Sequence, residues 1–427
     1  MSAKSVPFFV LLMCYIIGVM VYSFDPVMQS FPSILVDEFM RTFAITSVGV
    51  GFIASSYFYS YNLLQIPAGF LCDKFGLKYI LIISSLICIL ALGIFASAHA
   101  LYAAITARIL MGLGASCAAV IMILVCKEYF SIRMFPILIG IAQFFCNVGA
   151  LCGQYPLTFL TASIGWRAAV FSLSVIPVFM IILALLFFRA SHRPRRVGTH
   201  TLLEFGREVK EVFVNKYNWQ AAIYAMLLWT PFYTFASLWG IPFLREKMGI
   251  DVTDASRLIA IAWLGSGVGS ILLGMMSSYL QRRKMCIVLS AALGIAVFPL
   301  IILFDIQDLT VMSGILFLFG IASAGQALSF AMIDDHNRSA VLGTASGFNN
   351  TVIMIGPMLI DPVIGVLLRS HWDGTMHDGI PYYSVGDFQL AFIVIPVLFA
   401  AALLVGLFYR EKAASYNLAD QAAVEAT

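Results

Sequence analysis

Charge is what this sequence has least of. Only 11% of its 427 residues are Asp, Glu, Lys or Arg, and 61% are hydrophobic; about one-quarter charged is usual for a soluble domain. Such a chain cannot present a solvated surface all round, so lipid must be its solvent. The charge that exists nearly cancels, at +3, too little to suggest a nucleic-acid partner. Catalytic signatures are missing as well. There is no paired Ser and His, no HExxH, no P-loop and no nucleotide-binding fold, so an enzyme is not expected. Eight cysteines (Cys14, Cys72, Cys88, Cys117, Cys126, Cys146, Cys152 and Cys286) show neither CxxC nor His-paired metal spacing. Scattered through apolar runs, they read as small core residues. Asp334, Asp335 and His336 are immediate neighbours on one helix and cannot converge on one ion, so no metal or cofactor is expected. One Lys precedes the first apolar run, with no small-residue cleavage site, which reads as an uncleaved first span and not a signal peptide.

Long apolar runs fill the space that charge leaves. A spanning helix needs about 20 mostly apolar residues. Twelve runs qualify, at 6–34, 45–71, 77–98, 100–126, 135–160, 166–188, 217–243, 256–280, 285–304, 309–332, 341–368 and 387–409. They lack strict alternation and exceed the roughly 10 residues of a barrel strand, so the expected fold is all-α and polytopic. With the N-terminus placed in the cytoplasm, 18 of 25 Lys and Arg fall on the cytoplasmic side and 6 outside, Arg108 lying within a run. That bias is the positive-inside signal, and it makes both termini cytoplasmic.

The longest loop, 189–216, is basic and central. It divides a six-helix bundle over 1–188 from a second over 217–412, with a tail at 413–427. Its segment TLLEFGREVKEVF has apolar residues at helical spacing and could lie along the membrane surface, although a plain orienting linker is the simpler reading. The halves repeat weakly. GIAQFFCN carries Gly140 and Asn147, GTASGFNN carries Gly343 and Asn350, and Gly153 and Gly356 share the same offset of 203. GFLCDKFGLK from Gly69 and GMMSSYLQRRK from Gly274 give 205. Two nearly equal offsets argue for a duplicated six-helix unit.

Between the second and third runs, Gly69 and Gly76 would permit a tight turn and close backbone approach. Asp73 there could accept hydrogen bonds from a helix N-terminus or an arginine. This stretch, Gly69 to Lys78, resembles the loop 2–3 signature of the major facilitator superfamily of secondary transporters, and topology and central basic loop agree over residues 6–412. The resemblance implies two pseudo-symmetric six-helix bundles that rock about a central site. It also implies a cytoplasmic latch built from Gly69, Asp73, Gly76 and Lys78, with Arg133 of EYFSIR as a candidate partner for Asp73. The second copy has Ser278 in place of the aspartate, which puts a charged latch there in doubt. RILMG, from Arg108, resembles a helix 4 signature of proton-coupled members. The glycines of the fifth run resemble a degraded form of the drug exporters' helix 5 signature; Gly149 is followed by Ala150, and the Gly-Pro pair stands at Gly356-Pro357 instead.

Two carboxylates lie well inside the runs, Asp25 and Asp361, and each is followed by Pro-Val. Asp25 sits roughly 7 Å past the centre of its uncharged stretch and Arg108 is at about that depth, while Asp361 is roughly 11 Å past its own centre. Each proline frees a carbonyl one turn earlier and can kink its helix. DPVMQSFP resembles the helix 1 pattern of proton-antiporting members. A carboxylate near an arginine in a desolvated site can exchange a proton for a solute contact. Asp25, Arg108 and Asp361 are therefore the coupling candidates. Other readings stay open: Asp25 wetted from outside, Arg108 bonded to helix carbonyls, or Asp361 nearer the edge.

Cavity candidates are Tyr57, Tyr61, Asn62 and Gln65 of the second run, Gln143 and Asn147, Trp229 and Tyr233, Trp263, Gln326, and Asn349 and Asn350. Tyr57, Tyr61 and Gln65 share one face at a spacing of four. Trp and Tyr also belt membrane interfaces. The expected function is movement of a small organic solute by proton-coupled alternating access, with the proton gradient as driving force. The chain would act as a monomer in a bacterial inner membrane. An uncoupled uniporter and a proton-antiporting exporter are the alternatives.

Overall fold

A computed structural model describes residues 8–130, 134–188, 202–280, 282–338, 341–409 and 411. Among them, eleven helices are long and apolar enough to cross a membrane, and the bent pair Val36–Phe43 and Ser47–Gln65 supplies a twelfth. The spans are α1 (Phe8–Ile34), α2 (Ser47–Gln65), α3 (Leu77–Ala96), α4 (Leu101–Cys126), α5 (Leu138–Ile164), α6 (Trp166–Phe187), α7 (Lys216–Met248), α8 (Val252–Leu280), α9 (Arg283–Leu303), α10 (Leu309–His336), α11 (Leu342–His371) and α12 (Val385–Leu407). Their outward faces carry large exposed apolar side chains, among them Leu63, Leu90, Leu186, Met275 and Leu404. Lipid suits such a surface because each helix satisfies its own backbone.

The second run ends earlier than its hydropathy implies. α2 stops at Gln65 and a separate short helix, Ala68–Phe75, follows Pro67, whose missing N–H cannot continue the ladder. On the way into α2 the chain reverses through Ala44, held at φ 52°, and the two helices meet at 110°.

Glycines set how closely the helices of each half approach. A Cβ on Gly153 of α5 would overlap Val27 and Ser30 of α1, and one on Gly356 of α11 would overlap Met226 and Thr230 of α7. Gly112 of α4 lies against Tyr57 of α2, and Gly320 of α10 against Ala262 of α8. Gly69, Gly140, Gly274 and Gly343 have open space around them, so the close approach expected at Gly69 is absent there. The turn in that loop is made by Gly76, at φ 85°.

The halves meet along α2 with α11 and α5 with α8. The helix Leu202–Val214 of the central loop docks on the second half: Arg338 pairs with Glu211 at 2.5 Å, Thr344 donates to Glu208 at 3.4 Å, and Phe213 meets the Phe348 ring edge-on at 4.9 Å. Residues 189–201 and the tail at 413–427 lie outside the described residues. Of the adjacent Asp335 and His336, the first pairs with Arg283 and the second stacks on Tyr217 at 4.3 Å. Six of the cysteines are buried, Cys146 is half-buried and Cys152 is exposed.

Candidate functional site

Asp25 is 6% exposed, on α1 one residue before Pro26. Three donors reach it. Gln29, one turn on, donates Nε2 to Oδ1 at 2.6 Å. Tyr57 donates its hydroxyl to Oδ1 at 2.5 Å and Tyr61 to Oδ2 at 3.0 Å. The tyrosines are four apart on α2, so one helix face delivers both hydroxyls. A buried carboxylate needs such donors, and charge-assisted bonds are the strong ones. Gln29 also turns its Oε1 toward the second half, where the Tyr233 hydroxyl of α7 donates to it at 2.9 Å.

Arg108, 1% exposed, is not the direct partner expected for Asp25. Its Nε donates to Ile53 O and its Nη2 to Ala54 O, both at 3.2 Å, and its Nη1 donates to Met28 O. Pro32 explains the last bond: it has no N–H to offer the carbonyl four residues back. The guanidinium lies 4.8 Å from the Tyr57 ring centre and 5.3 Å from that of Phe31. Tyr57 therefore stands between the two charges, its face on the arginine and its hydroxyl on the carboxylate. Arg108 ties α4 to α1 and α2, as the carbonyl-bonded reading of it required.

Asp361, 1% exposed, differs. Its Oδ1 is buried with no hydrogen-bond partner, and its backbone carbonyl accepts from Trp239 Nε1 at 3.3 Å. Its backbone packs on Gly51 of α2, in the other half.

The remaining candidates divide. Tyr233 packs against Trp229, tilted by 43°, and meets Trp263 edge-on, with ring centres 6.1 and 6.2 Å away. Trp229 Nε1, Asn62 Oδ1 and Gln65 Nε2 are buried and unpartnered. Gln143 accepts from Tyr22 at 2.8 Å, and Asn147 donates back to the Gln143 carbonyl at 3.1 Å. Trp263 Nε1 donates to Gln154 at 3.1 Å. Asn349 Nδ2 pins α11 to α10 through Ser329 at 2.8 Å, while its Oδ1 is buried and unpartnered. Gln326 and Asn350 are half-buried.

Cross-half bonds gather toward the end of the molecule where α1 leads into α2. Ser47 donates to Gly365 O at 2.7 Å, and Gln154 Nε2, held within its own half by Ser33 at 2.8 Å, donates to Ala236 O at 2.6 Å. Arg245 pairs with Asp37 at 2.6 Å. Ala236 lies in a π-helical turn, Phe235–Trp239, whose looser pitch frees carbonyls for such use.

The family model of the Major Facilitator Superfamily matches residues 8–361 and 241–426. The chain belongs to that superfamily. It is a multi-pass membrane protein whose relatives are transporters of small solutes. Over 385 residues, 85% of each chain, it is 23% identical to a probable sulfoacetate transporter, SauU, of Cupriavidus necator. The fold is shared with the nucleoside transporter NupG, at TM-score 0.72 and 14% identity over 94% of this chain and 100% of that one. It is shared too with a D-xylose–proton symporter, at 0.73 and 13% over 96% and 99%.

The superfamily's loop signature is only partly placed. Lys78 Nζ donates to Phe188 O at 2.8 Å and Leu185 O at 3.2 Å, capping α6 within its own bundle in this state. Arg133 and the side chain of Asp73 lie outside the described residues. Gln29 and Gln154 were not among the expected site residues. The spacing of four from Asp25 to Gln29 was the available signal for the first. For Gln154 no local signal exists, because its partners come from α1, α7 and α8.

Proposed function

We propose that this protein moves a small organic solute by proton-coupled alternating access, with Asp25 as the coupling acid. The observation that carries this reading is the Asp25 network: a buried carboxylate held by three donors and bonded through Gln29 to the opposite half. Gain or loss of a proton there changes the bonds that join the halves, which is what coupling requires. The bonds at the α1–α2 end support a state closed on that side. The distribution of Lys and Arg supports placing that end outside, with both termini in the cytoplasm of a bacterial cell. The unpartnered polar atoms of Trp229, Asn62 and Gln65 are the natural contacts for a solute's polar groups. Sulfoacetate, the named substrate of a relative, is the first solute to try.

Asp361 supports a second reading, since a buried carboxylate oxygen without donors is a group that a proton would relieve. Proteoliposomes under an imposed pH gradient separate the two. Expected is gradient-driven sulfoacetate movement that falls at least tenfold in Asp25→Asn and survives in Asp361→Asn. Unchanged gradient-driven transport in Asp25→Asn would overturn the first reading. Movement that no gradient accelerates would make the protein a uniporter. If sulfoacetate is inert, a thermal-shift screen of small carboxylates, sulfonates, nucleosides and sugars supplies the solute, since binding raises apparent stability.

A further inference from the structure

Tyr233 stands where the polar groups of both halves converge. Its hydroxyl donates to Gln29 Oε1 at 2.9 Å, and Gln29 Nε2 donates on to Asp25 at 2.6 Å. On its other side Ser237 lies beside the same hydroxyl, and Thr234 lies beside the Asp361 carboxylate. Ser237 Oγ, Thr234 Oγ1 and Asp361 Oδ1 are all buried, and none completes a hydrogen bond. The Trp239 bond to Asp361 O fixes the same π-helical stretch against Asp361. One strip of α7 thus runs from the network of one membrane acid to the other.

Amide chemistry gives this chain two settings. A glutamine amide donates only through nitrogen and accepts only through oxygen. Facing ionised Asp25, Gln29 must present Nε2, which leaves Oε1 for Tyr233. When Asp25 carries a proton, the acid has a donor of its own. Gln29 can then turn over, accept that donor on Oε1 and present Nε2 to the Tyr233 oxygen. The displaced tyrosine O–H needs a new acceptor, and Ser237 Oγ is beside it, unused.

We infer that Tyr233 is a positioning residue that links the protonation of Asp25 to that of Asp361 across the interface between the halves, with Gln29 turning over as Asp25 gains or loses its proton. The inference rests on the coupling role proposed for Asp25 only for its use in transport; the link itself is testable without any solute. Other ionisable groups near Asp25 are Tyr22, Tyr57, Tyr61, Cys88 and Cys146. The cation near Asp361 is Arg108, which is committed to backbone carbonyls. None of these lies on the α7 stretch that carries Tyr233, bonded to Gln29 at one end, and Trp239, bonded to the Asp361 carbonyl at the other.

Infrared pH-difference spectra of the detergent-purified full chain read the two carboxyl groups separately, each assigned by the band lost in Asp25→Asn or Asp361→Asn. Coupled sites titrate as a pair, so Asp361→Asn is expected to move the Asp25 midpoint by about one pH unit. In a Tyr233→Phe background, which keeps the ring packed against Trp229 and Trp263, that displacement should vanish. Ser237→Ala removes only the waiting acceptor and should shrink it. The inference is overturned if the two midpoints are independent in the native chain. It is equally overturned if the displacement persists undiminished in Tyr233→Phe, which would mean coupling through space. Because no transport is measured, a transport-silent Asp25→Asn result and a failed link are distinguishable.

Discussion

In the first half Gly153 receives Val27 of α1; in the second, Gly356 receives Thr230 of α7, and both members of the pair lie 203 residues further on. The contact of Gly112 with Tyr57 likewise has its counterpart in that of Gly320 with Ala262. The same registers place the polar network against its equivalents. Asp25 corresponds to Leu228 and Gln29 to Phe232, while Tyr57 corresponds to Ala262, Tyr61 to Ser266 and Arg108 to Leu316. Leu228, Phe232 and Leu316 are fully buried. The halves therefore keep the devices that set helix approach and diverge in what the helices enclose. Close packing tolerates little change in volume at a glycine seat. A side chain facing the centre is free to be carboxylate or leucine once its partners change with it. The second half brings its own acid from elsewhere, Asp361 of α11, without the donors that hold Asp25.

Arg108→Leu tests this comparison most severely, because it gives the first half the residue that the second half uses. Across from Leu316 in register, Phe235 replaces Pro32, and the Phe235 N–H bonds Pro231 O, the equivalent of Met28 O. At 108 the same leucine would leave Met28 O buried and unmet, with a loss of about 3 kcal/mol expected from such orphaned groups. Thermal unfolding in detergent measures it, and Arg108→Lys should recover only part. A loss below about 1 kcal/mol would mean the carbonyl cage is dispensable. Next in size are the paired glycines. Gly153→Ala and Gly356→Ala should each cost about 1–3 kcal/mol by overpacking. Gly140→Ala and Gly343→Ala, in open space, should be neutral or stabilise by up to about 1 kcal/mol. If Gly356 tolerates alanine and Gly153 does not, the structural equivalence of the halves fails at its best-defined contact.

Much of this is visible before any coordinates. Apolar runs mark the spans because a bilayer forces about 20 apolar residues onto each. The Tyr57–Tyr61 face and the buried acids are equally plain. Asp25 and Arg108 are level in depth, but depth along an axis says nothing of direction around it. Tyr57 occupies the intervening space, and Pro32 turns Met28 O into a better partner. Residue type is equally silent on what Asn349 and Lys78 touch. An amide serves a cavity or pins α10, and a lysine latches two bundles or caps α6, with identical local sequence. Long-range carbonyls decide between these roles, and they leave no mark on the stretch that contains the side chain.

Smaller effects sharpen the comparison inside the site. Tyr57→Phe keeps the ring under Arg108 and removes one donor from Asp25, so about 1.5 kcal/mol of stability should be lost, as for bonds to charged groups. Tyr61→Phe, with the longer bond, should cost less, and neither change has an equivalent at Ala262 or Ser266. A double-mutant cycle on the two hydroxyls in thermal unfolding would show whether they act independently.

The smallest expected effect lies between the halves. Arg245 and Asp37 pair at 2.6 Å with each side chain over one-third exposed, 38% and 36%. A pair so wetted stabilises by about 0–1 kcal/mol and is screened by salt, so Asp37→Asn should lower the unfolding temperature barely, and less at high ionic strength. Its effect on conformation is another matter. The bond joins the first half to the second, so a state in which this end opens must break it, and its whole free energy enters that equilibrium. Even about 0.5 kcal/mol changes the population ratio by roughly twofold. Spin labels on residues 41 and 369 would report the opening. The Asp37→Asn protein should show more of the long-distance population at low salt, and Asp37→Glu should restore part of the native distribution. Equal distributions at all salt concentrations would reduce the pair to a surface contact. The hydrogen bonds of Ser47 and Gln154 would then hold this end closed alone.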